Sequence, residues 1–143
     1  MNAATIRITA PDASGRSVTL DAGAVERSVA ALADACRAHR TIAIAAVPTI
    51  ETILAVLAVW RAGATLVPFD TLTDKKLPDV DALVIGGGFP EHFARELEAN
   101  GALRERIGAA IDAGLPVYAE CGGLMYLANS LTREGHSYRM VGA

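Results

Sequence analysis

The sequence predicts an α/β fold, a mostly parallel sheet with helices packed on both faces and its sites at the carboxyl ends of the strands. Three observations predict it. Short apolar runs at Thr41 to Val47, Ala82 to Ile85 and Val117 to Glu120 have the pattern of strands buried on both faces. Segments of helical period separate them. Two of the runs end in glycines, Gly86-Gly87-Gly88 and Gly122-Gly123, where a doubly wound sheet carries its sites.

A chain of 143 residues is long enough for one packed domain and too short for two ordinary ones. Hydrophobic residues make up 52% and charged residues 20%, a balance that excludes a disordered chain. The net charge of −3, with both signs interspersed, supplies no basic stripe, so nucleic acid is not an expected partner. The longest apolar run, Ile53 to Trp60, is far below the roughly 20 residues of a bilayer span, and nothing resembles a signal peptide. The expectation is a cytoplasmic protein with no membrane partner. Cys36 and Cys121 belong to no CxxC or Cys/His cluster, which argues against a zinc site or a disulfide framework.

Along the chain, Ile6-Arg7-Ile8-Thr9 and Ser17-Val18-Thr19-Leu20 alternate in polarity around the turn signal Pro11-Asp12-Ala13-Ser14-Gly15, which predicts a hairpin. From Asp21 the period becomes helical, with Val25, Val29, Leu32, Ala33 and Cys36 on one stripe, so Cys36 is expected in a core. Pro48 ends the strand from Thr41. Thr49 caps an apolar helix to about Ala62, closed by Gly63, and Thr65 to Phe69 is the next strand. Asp70 to Pro78 reads as a polar linker before the strand Ala82 to Ile85. Pro90 and Glu91 suit the first turn of a helix to about Ala99. After a break at Asn100-Gly101, a second helix is expected over Leu103 to Ala113. Gly114 ends it before the strand Val117 to Glu120. A helix from about Leu124 to Leu131 and a polar tail to Ala143 complete the reading.

The chemistry-bearing segment is Tyr118-Ala119-Glu120-Cys121-Gly122-Gly123-Leu124, a cysteine where a strand turns sharply into a helix. This is the arrangement of a nucleophile elbow with sulfur in place of the serine oxygen, and the positive end of the following helix favours negative charge beside it. The amide of Gly122 would face an oxyanion formed on a carbonyl attacked by Cys121. A second donor is expected from Gly87 or Gly88, which have no side chain to obstruct a backbone amide. A cysteine at a strand end is more often a small packing residue. The two glycine runs at neighbouring strand ends weigh against that reading here.

Ala82-Leu-Val-Ile-Gly-Gly-Gly-Phe-Pro-Glu91, followed by Val117-Tyr-Ala-Glu-Cys-Gly-Gly-Leu-Met-Tyr-Leu127, resembles the glutaminase domain of cobyrinic (or hydrogenobyrinic) acid a,c-diamide synthases. The resemblance covers residues 41–143 as a partial glutamine amidotransferase domain and leaves 1–40, the hairpin and first helix, unassigned. It implies a flavodoxin-like three-layer sandwich, class I glutamine amidotransferase-like and truncated at its C-terminus. It also implies Cys121 as the nucleophile, with Gly88 and Gly122 supplying the oxyanion-hole amides. In that family glutamine is hydrolysed through a Cys thioester, and the ammonia serves ATP-dependent amidation of corrin carboxylates in cobalamin biosynthesis. The implied partners are therefore glutamine and a synthetase domain or other ammonia acceptor. ATP and Mg²⁺ are expected only on that separate domain, since this chain has no Gly-x-x-x-x-Gly-Lys-Ser/Thr loop, and no cofactor is expected here.

The chain departs from the family in two further places. Only His136 follows Cys121, in Thr132-Arg-Glu-Gly-His-Ser-Tyr138, which resembles the family's polar hairpin and not its histidine motif. His39 and His92 read as surface residues. The chain is thus expected to lack the catalytic histidine and to be inactive alone, a fragment of a carbon–nitrogen ligase with glutamine as amide donor. Val47 to Ile53 stands where family members carry an aromatic-rich stretch. Two alternatives stay open: a non-catalytic binding or homo-oligomerisation module that keeps the fold, and a phosphate or nucleotide binder built on Gly86 to Gly88, which Glu91 in the next turn opposes.

Overall fold

In the computed structural model, residues 7–12, 14–45 and 49–143 are described. The alternating segments at the start pair as an antiparallel hairpin, β1 (Arg7–Pro11) with β2 (Ser17–Asp21), in the register Arg7 opposite Asp21. Asp12 organises its turn by accepting from the Ser14 hydroxyl at 2.6 Å, the Ser14 and Arg16 amides, and the Arg16 guanidinium. These bonds, the Ser14 hydroxyl first, hold its carboxyl down to about 2. Ile6 and Ala13, parts of the expected hairpin and turn, lie outside the described residues.

Asp21 then caps α1 (Ala22–Cys36) by accepting from the Ala24 amide. The strand β3 (Thr41–Ala45) follows; the expected continuation to Val47 and the stop at Pro48 lie outside the described residues. Thr49 caps α2 (Ile50–Ala62), and Gly63 closes it at φ 74°, as the sequence predicts. β4 (Thr65–Phe69) and β5 (Ala82–Ile85) come next. The expected helix after β5 is tighter at its start, a 3₁₀ turn over Pro90–Phe93 that passes into α3 (Ala94–Ala99). α4 (Gly101–Asp112) and β6 (Val117–Ala119) complete the central unit.

The C-terminal end departs most from expectation. The elbow helix α5 (Gly122–Leu127) begins before Leu124 and ends well short of Leu131. The stretch read as a polar tail holds a second hairpin, β7 (Ser130–Arg133) with β8 (His136–Arg139), in keeping with the likeness of Thr132 to Tyr138 to the family's polar hairpin. Its two-residue turn, Glu134 at φ 52° and Gly135 at φ 78°, has both residues in the left-handed region, the geometry that matches the twist of paired strands. Leu131, expected on the helix, is instead the buried residue of β7.

The four central strands form one parallel sheet in the order β4-β3-β5-β6. Alternate residues divide its two faces. Ala43, Ala45, Leu83 and Ile85 pack with Leu97, Leu103 and Ile107 of α3 and α4 and with Tyr126, Leu131 and Met140. Ile42, Ile44 and Ala82 pack on the other side with Val59 of α2. α1 forms an outer layer on α2 through Val29, Ala33, Leu54 and Ala58, and the β1–β2 hairpin adds Ile8 and Leu20 to that cluster. Cys36 touches both clusters on this side, half-buried, and burial pushes its thiol up. The mixed α/β architecture with a parallel four-stranded sheet is the flavodoxin-like arrangement.

Candidate functional site

The carboxyl ends of β5 and β6 lie side by side, with Ile85 opposite Ala119, and the Glu120 amide carries the pairing one step further to the Ile85 carbonyl at 3.2 Å. At the next residue the chain leaves the sheet. Cys121 takes φ 47° and ψ −114°, and with Glu134 it is one of two non-glycine residues at positive φ among those described. Such a conformation costs on the order of 1–3 kcal/mol and persists only where its surroundings impose it. The turn is closed by Gly123 N–H donating to the Glu120 carbonyl at 2.8 Å, and Met125 N–H donating to the Cys121 carbonyl starts α5. Cys121 itself is exposed.

The glycines after it are required by close approach. A Cβ on Gly122 would sit 2.8 Å from the Gly88 carbonyl carbon and 2.8 Å from Pro90 Cδ, nearer still to the Gly88 oxygen. A Cβ on Gly123 would sit 2.8 Å from the Ile85 carbonyl carbon and 2.9 Å from the Gly86 oxygen. The elbow and the Gly86 to Gly88 loop therefore meet backbone against backbone, which only glycine permits. Gly122 is also the first residue of α5, where an amide has no acceptor within the helix. The two glycine segments singled out in the sequence are thus brought together beside Cys121.

Under this contact lies a cavity of about 290 Å³, at the small end of the range for small-molecule pockets. Gly86 to Gly88, Phe89, Pro90, Gly122, Gly123 and Tyr126 form one side. Phe69, Asp70, Thr71 and Leu72, from the end of β4 and the loop after it, line it as well, and Cys121, next to Gly122 in the chain, stands outside the lining. On the other face of the sheet a groove of about 380 Å³ runs between α1, α2 and β6, mostly apolar, with Glu51, Tyr118 and Glu120 among its lining residues. Tyr118 donates its hydroxyl to Glu120 at 2.9 Å; that bond, then burial and the charges of Glu120 and Glu51, raise its pKa.

The histidines sit apart from one another. His39 is half-buried in the wall of the second groove. His92 stacks on Phe89 with centroids 5.6 Å apart. His136 stands exposed on β8, its Nδ1 3.3 Å from the Glu134 carbonyl and its ring tilted against Tyr138.

Sequence reasoning missed Asn100 and the segment after β4. Asn100 reads as a helix break, yet it is 1% exposed and makes three side-chain hydrogen bonds to residues 71–75. That segment reads as a linker, yet Asp70 and Asp74 fold it on itself. The Asp-x-x-x-Asp spacing at 70 and 74 was the signal available.

No group of three or more His, Cys, Asp or Glu among the described residues is arranged to hold a metal ion. Nor is any helix among them long and apolar enough to cross a membrane.

Residues 41–143 match the CobB/CobQ-like glutamine amidotransferase domain, well over half of the chain, and the chain belongs to that family. Its curated relatives narrow the kind. It is 58% identical over 80 residues to a cobyrinate a,c-diamide synthase of Listeria monocytogenes serotype 4b (strain F2365), which covers 56% of this chain and 18% of the relative. It is 60% identical over 79 residues to the cobyrinate a,c-diamide synthase of Archaeoglobus fulgidus, covering 55% and 17%. To that of Streptococcus sanguinis (strain SK36) it is 56% identical over 77 residues, covering 54% and 17%. The matched stretch thus spans less than a fifth of each relative's length. No solved structure matches the chain.

Proposed function

We propose that this chain is a glutamine-handling part of a cobyrinate a,c-diamide synthase, with Cys121 as its nucleophile. The observation that supports the reading most is the backbone of Cys121 at φ 47°, pressed by Gly122 and Gly123 against the Gly86 to Gly88 loop. That arrangement raises a thiol above the sheet edge next to two backbone segments free of side chains.

The thiolate of Cys121 attacks the side-chain amide carbon of glutamine. The carbonyl electron pair moves to oxygen, where the amides of Gly88 and Gly122 donate to the oxyanion. As that pair returns, the C–N bond breaks, and the nitrogen takes a proton and leaves as ammonia, giving a glutamyl thioester. Water then adds to the thioester, releasing glutamate and restoring the thiol. The ammonia passes to carboxylates of a corrin substrate on a synthase partner region. That amidation consumes ATP with Mg²⁺. Neither the sequence nor the described side chains provide a triphosphate loop or metal cluster for it, so no step here runs through them.

Loss of the thiol proton needs a base whose conjugate acid then protonates the leaving nitrogen; His39 lines the groove on the other face of the sheet, His92 stacks on Phe89 and His136 stands on β8 against Tyr138, and we assign none of them that role. The 143-residue chain by itself is therefore expected to turn glutamine over negligibly, while Cys121 still reacts with a glutamine-analogue electrophile. Mass spectrometry of the labelled protein tests the second expectation; no adduct at Cys121 at high reagent concentration would remove the catalytic reading. Glutamate release that vanishes in Cys121→Ala would overturn the first.

A second reading, a non-catalytic module that pairs with a copy of itself, is favoured by β6, a sheet-edge strand with Tyr118 52% exposed. A molecular mass in solution that stays monomeric across concentration counts against it.

A further inference from the structure

We propose that Asn100 is a positioning residue for the cavity beside the elbow. It holds the loop of residues 70–75, of which Asp70, Thr71 and Leu72 line the cavity, and so sets the fit of the glutamine side chain. The inference rests on reading that cavity as the glutamine site.

The two sides of the cavity are held by different means. The side made by Gly86 to Gly88 and Gly122 to Gly123 is backbone packed closely on backbone. The other side is a loop. It closes on itself: Asp70 Oδ1 accepts from Leu72 N–H at 2.8 Å, Asp70 Oδ2 from the Thr73 hydroxyl at 2.9 Å, and Asp74 Oδ2 from Asp70 N–H at 2.8 Å. Asn100 joins this folded loop to the body of the molecule. Its Nδ2 donates to the carbonyls of Thr71 at 2.9 Å and Asp74 at 2.8 Å, and its Oδ1 accepts from Lys75 Nζ at 3.2 Å.

Asn100 is itself buried and tied into the backbone. It sits at the junction of α3 and α4, its amide bonded to Glu96 and Leu97 carbonyls and its carbonyl accepting from Arg104 N–H. Its side chain needs two donors and one acceptor in one compact group. Aspartate has no donor when ionised and serine has one, so asparagine is the short side chain that meets all three partners. Since Thr71 both lines the cavity and gives its carbonyl to Asn100, the wall position and the Asn100 bonds are coupled through one residue.

The test is saturation kinetics of Cys121 modification in the full 143-residue chain, with a diazoketone analogue of glutamine as probe and iodoacetamide as the unrecognised control. For Asn100→Ala the analogue concentration giving half the limiting rate is expected to rise about tenfold. The limiting rate and the iodoacetamide rate should stay within about twofold of the unsubstituted chain. Asp70→Ala, at an exposed position, loosens the same wall without opening the core. It is expected to shift the half-saturating concentration in the same direction, which keeps the test informative if Asn100→Ala fails to fold. Saturating labelling with the same half-saturating concentration in all three proteins overturns the role of Asn100 alone. A parallel loss of both reagents' rates in the variants does so too, because it would report a damaged elbow. Labelling of the unsubstituted chain that does not saturate overturns the glutamine reading of the cavity and the role of Asn100 together.

Discussion

Cys121 occupies a backbone conformation that a side chain resists, so the position most useful for reactivity is one that works against stability. Cys121→Gly is therefore expected to abolish modification by the glutamine analogue while raising unfolding stability by about 1 kcal/mol, read by denaturant titration. An unchanged or lowered stability would mean that the thiol's own contacts outweigh the strain. Gly123→Ala has the opposite sign. Its Cβ meets the fixed backbone of Ile85 and Gly86, and a loss of about 3 kcal/mol or more is expected together with slower labelling of Cys121. The elbow was legible in the sequence because its residues are contiguous and their types are restrictive. Asn100 was not, since an asparagine before a glycine looks locally like a break. Only the fold shows that its amide reaches Thr71 and Asp74.

Whole elements were legible where local signals and packing agree. Thr49 and Gly63 cap and close α2 where the sequence places them, α1 begins at the change of period after Asp21, and the apolar runs become β3, β5 and β6. The reading failed after Cys121. A six-residue helix is shorter than the helical period can define, and Leu131 satisfies either a helix stripe or an alternating strand. The β7–β8 hairpin is held to the core by Arg104. This nearly buried side chain donates to the Met140 carbonyl at 3.0 Å and to the Glu98 carbonyl at 2.9 Å. Glu134 carries its turn at positive φ with a residue poorly suited to it. Glu134→Asn is expected to stabilise the protein by about 0.5–1 kcal/mol, visible as a raised unfolding midpoint, with labelling of Cys121 unaffected. A fall in the midpoint would show that the glutamate's contact with Arg133 matters more than the turn.

At the scale of the molecule, the parallel sheet with helices on both faces followed from composition and periodicity, whereas its strand order and its two cavities follow from long-range pairing that no local pattern encodes. Global stability carries the signature of one buried and one half-buried acid. Burial pushes the Tyr126 hydroxyl up to about 12 against the opposing pull of Arg104, and it raises the Cys36 thiol. Both folded-state values lie above the unfolded ones. Their contribution is thus complete below the unfolded thiol's range, about pH 8.5, and declines as pH rises from there through about 12. The Tyr126 hydroxyl has no hydrogen-bond partner among the described residues. Tyr126→Phe should therefore match or exceed the parent's melting temperature at pH 7 and lose the steepest part of the decline above pH 10. Identical melting curves against pH in both proteins would contradict this.

The role proposed for Cys121 is that of a nucleophile directed at glutamine. It is tested most directly by mass spectrometry of the chain treated with a glutamine-analogue electrophile, with and without excess L-glutamine. One adduct is expected, on Cys121, suppressed by glutamine and absent in Cys121→Ala, while half-buried Cys36 stays unmodified. Failure to modify Cys121, or modification that glutamine does not slow, would contradict it.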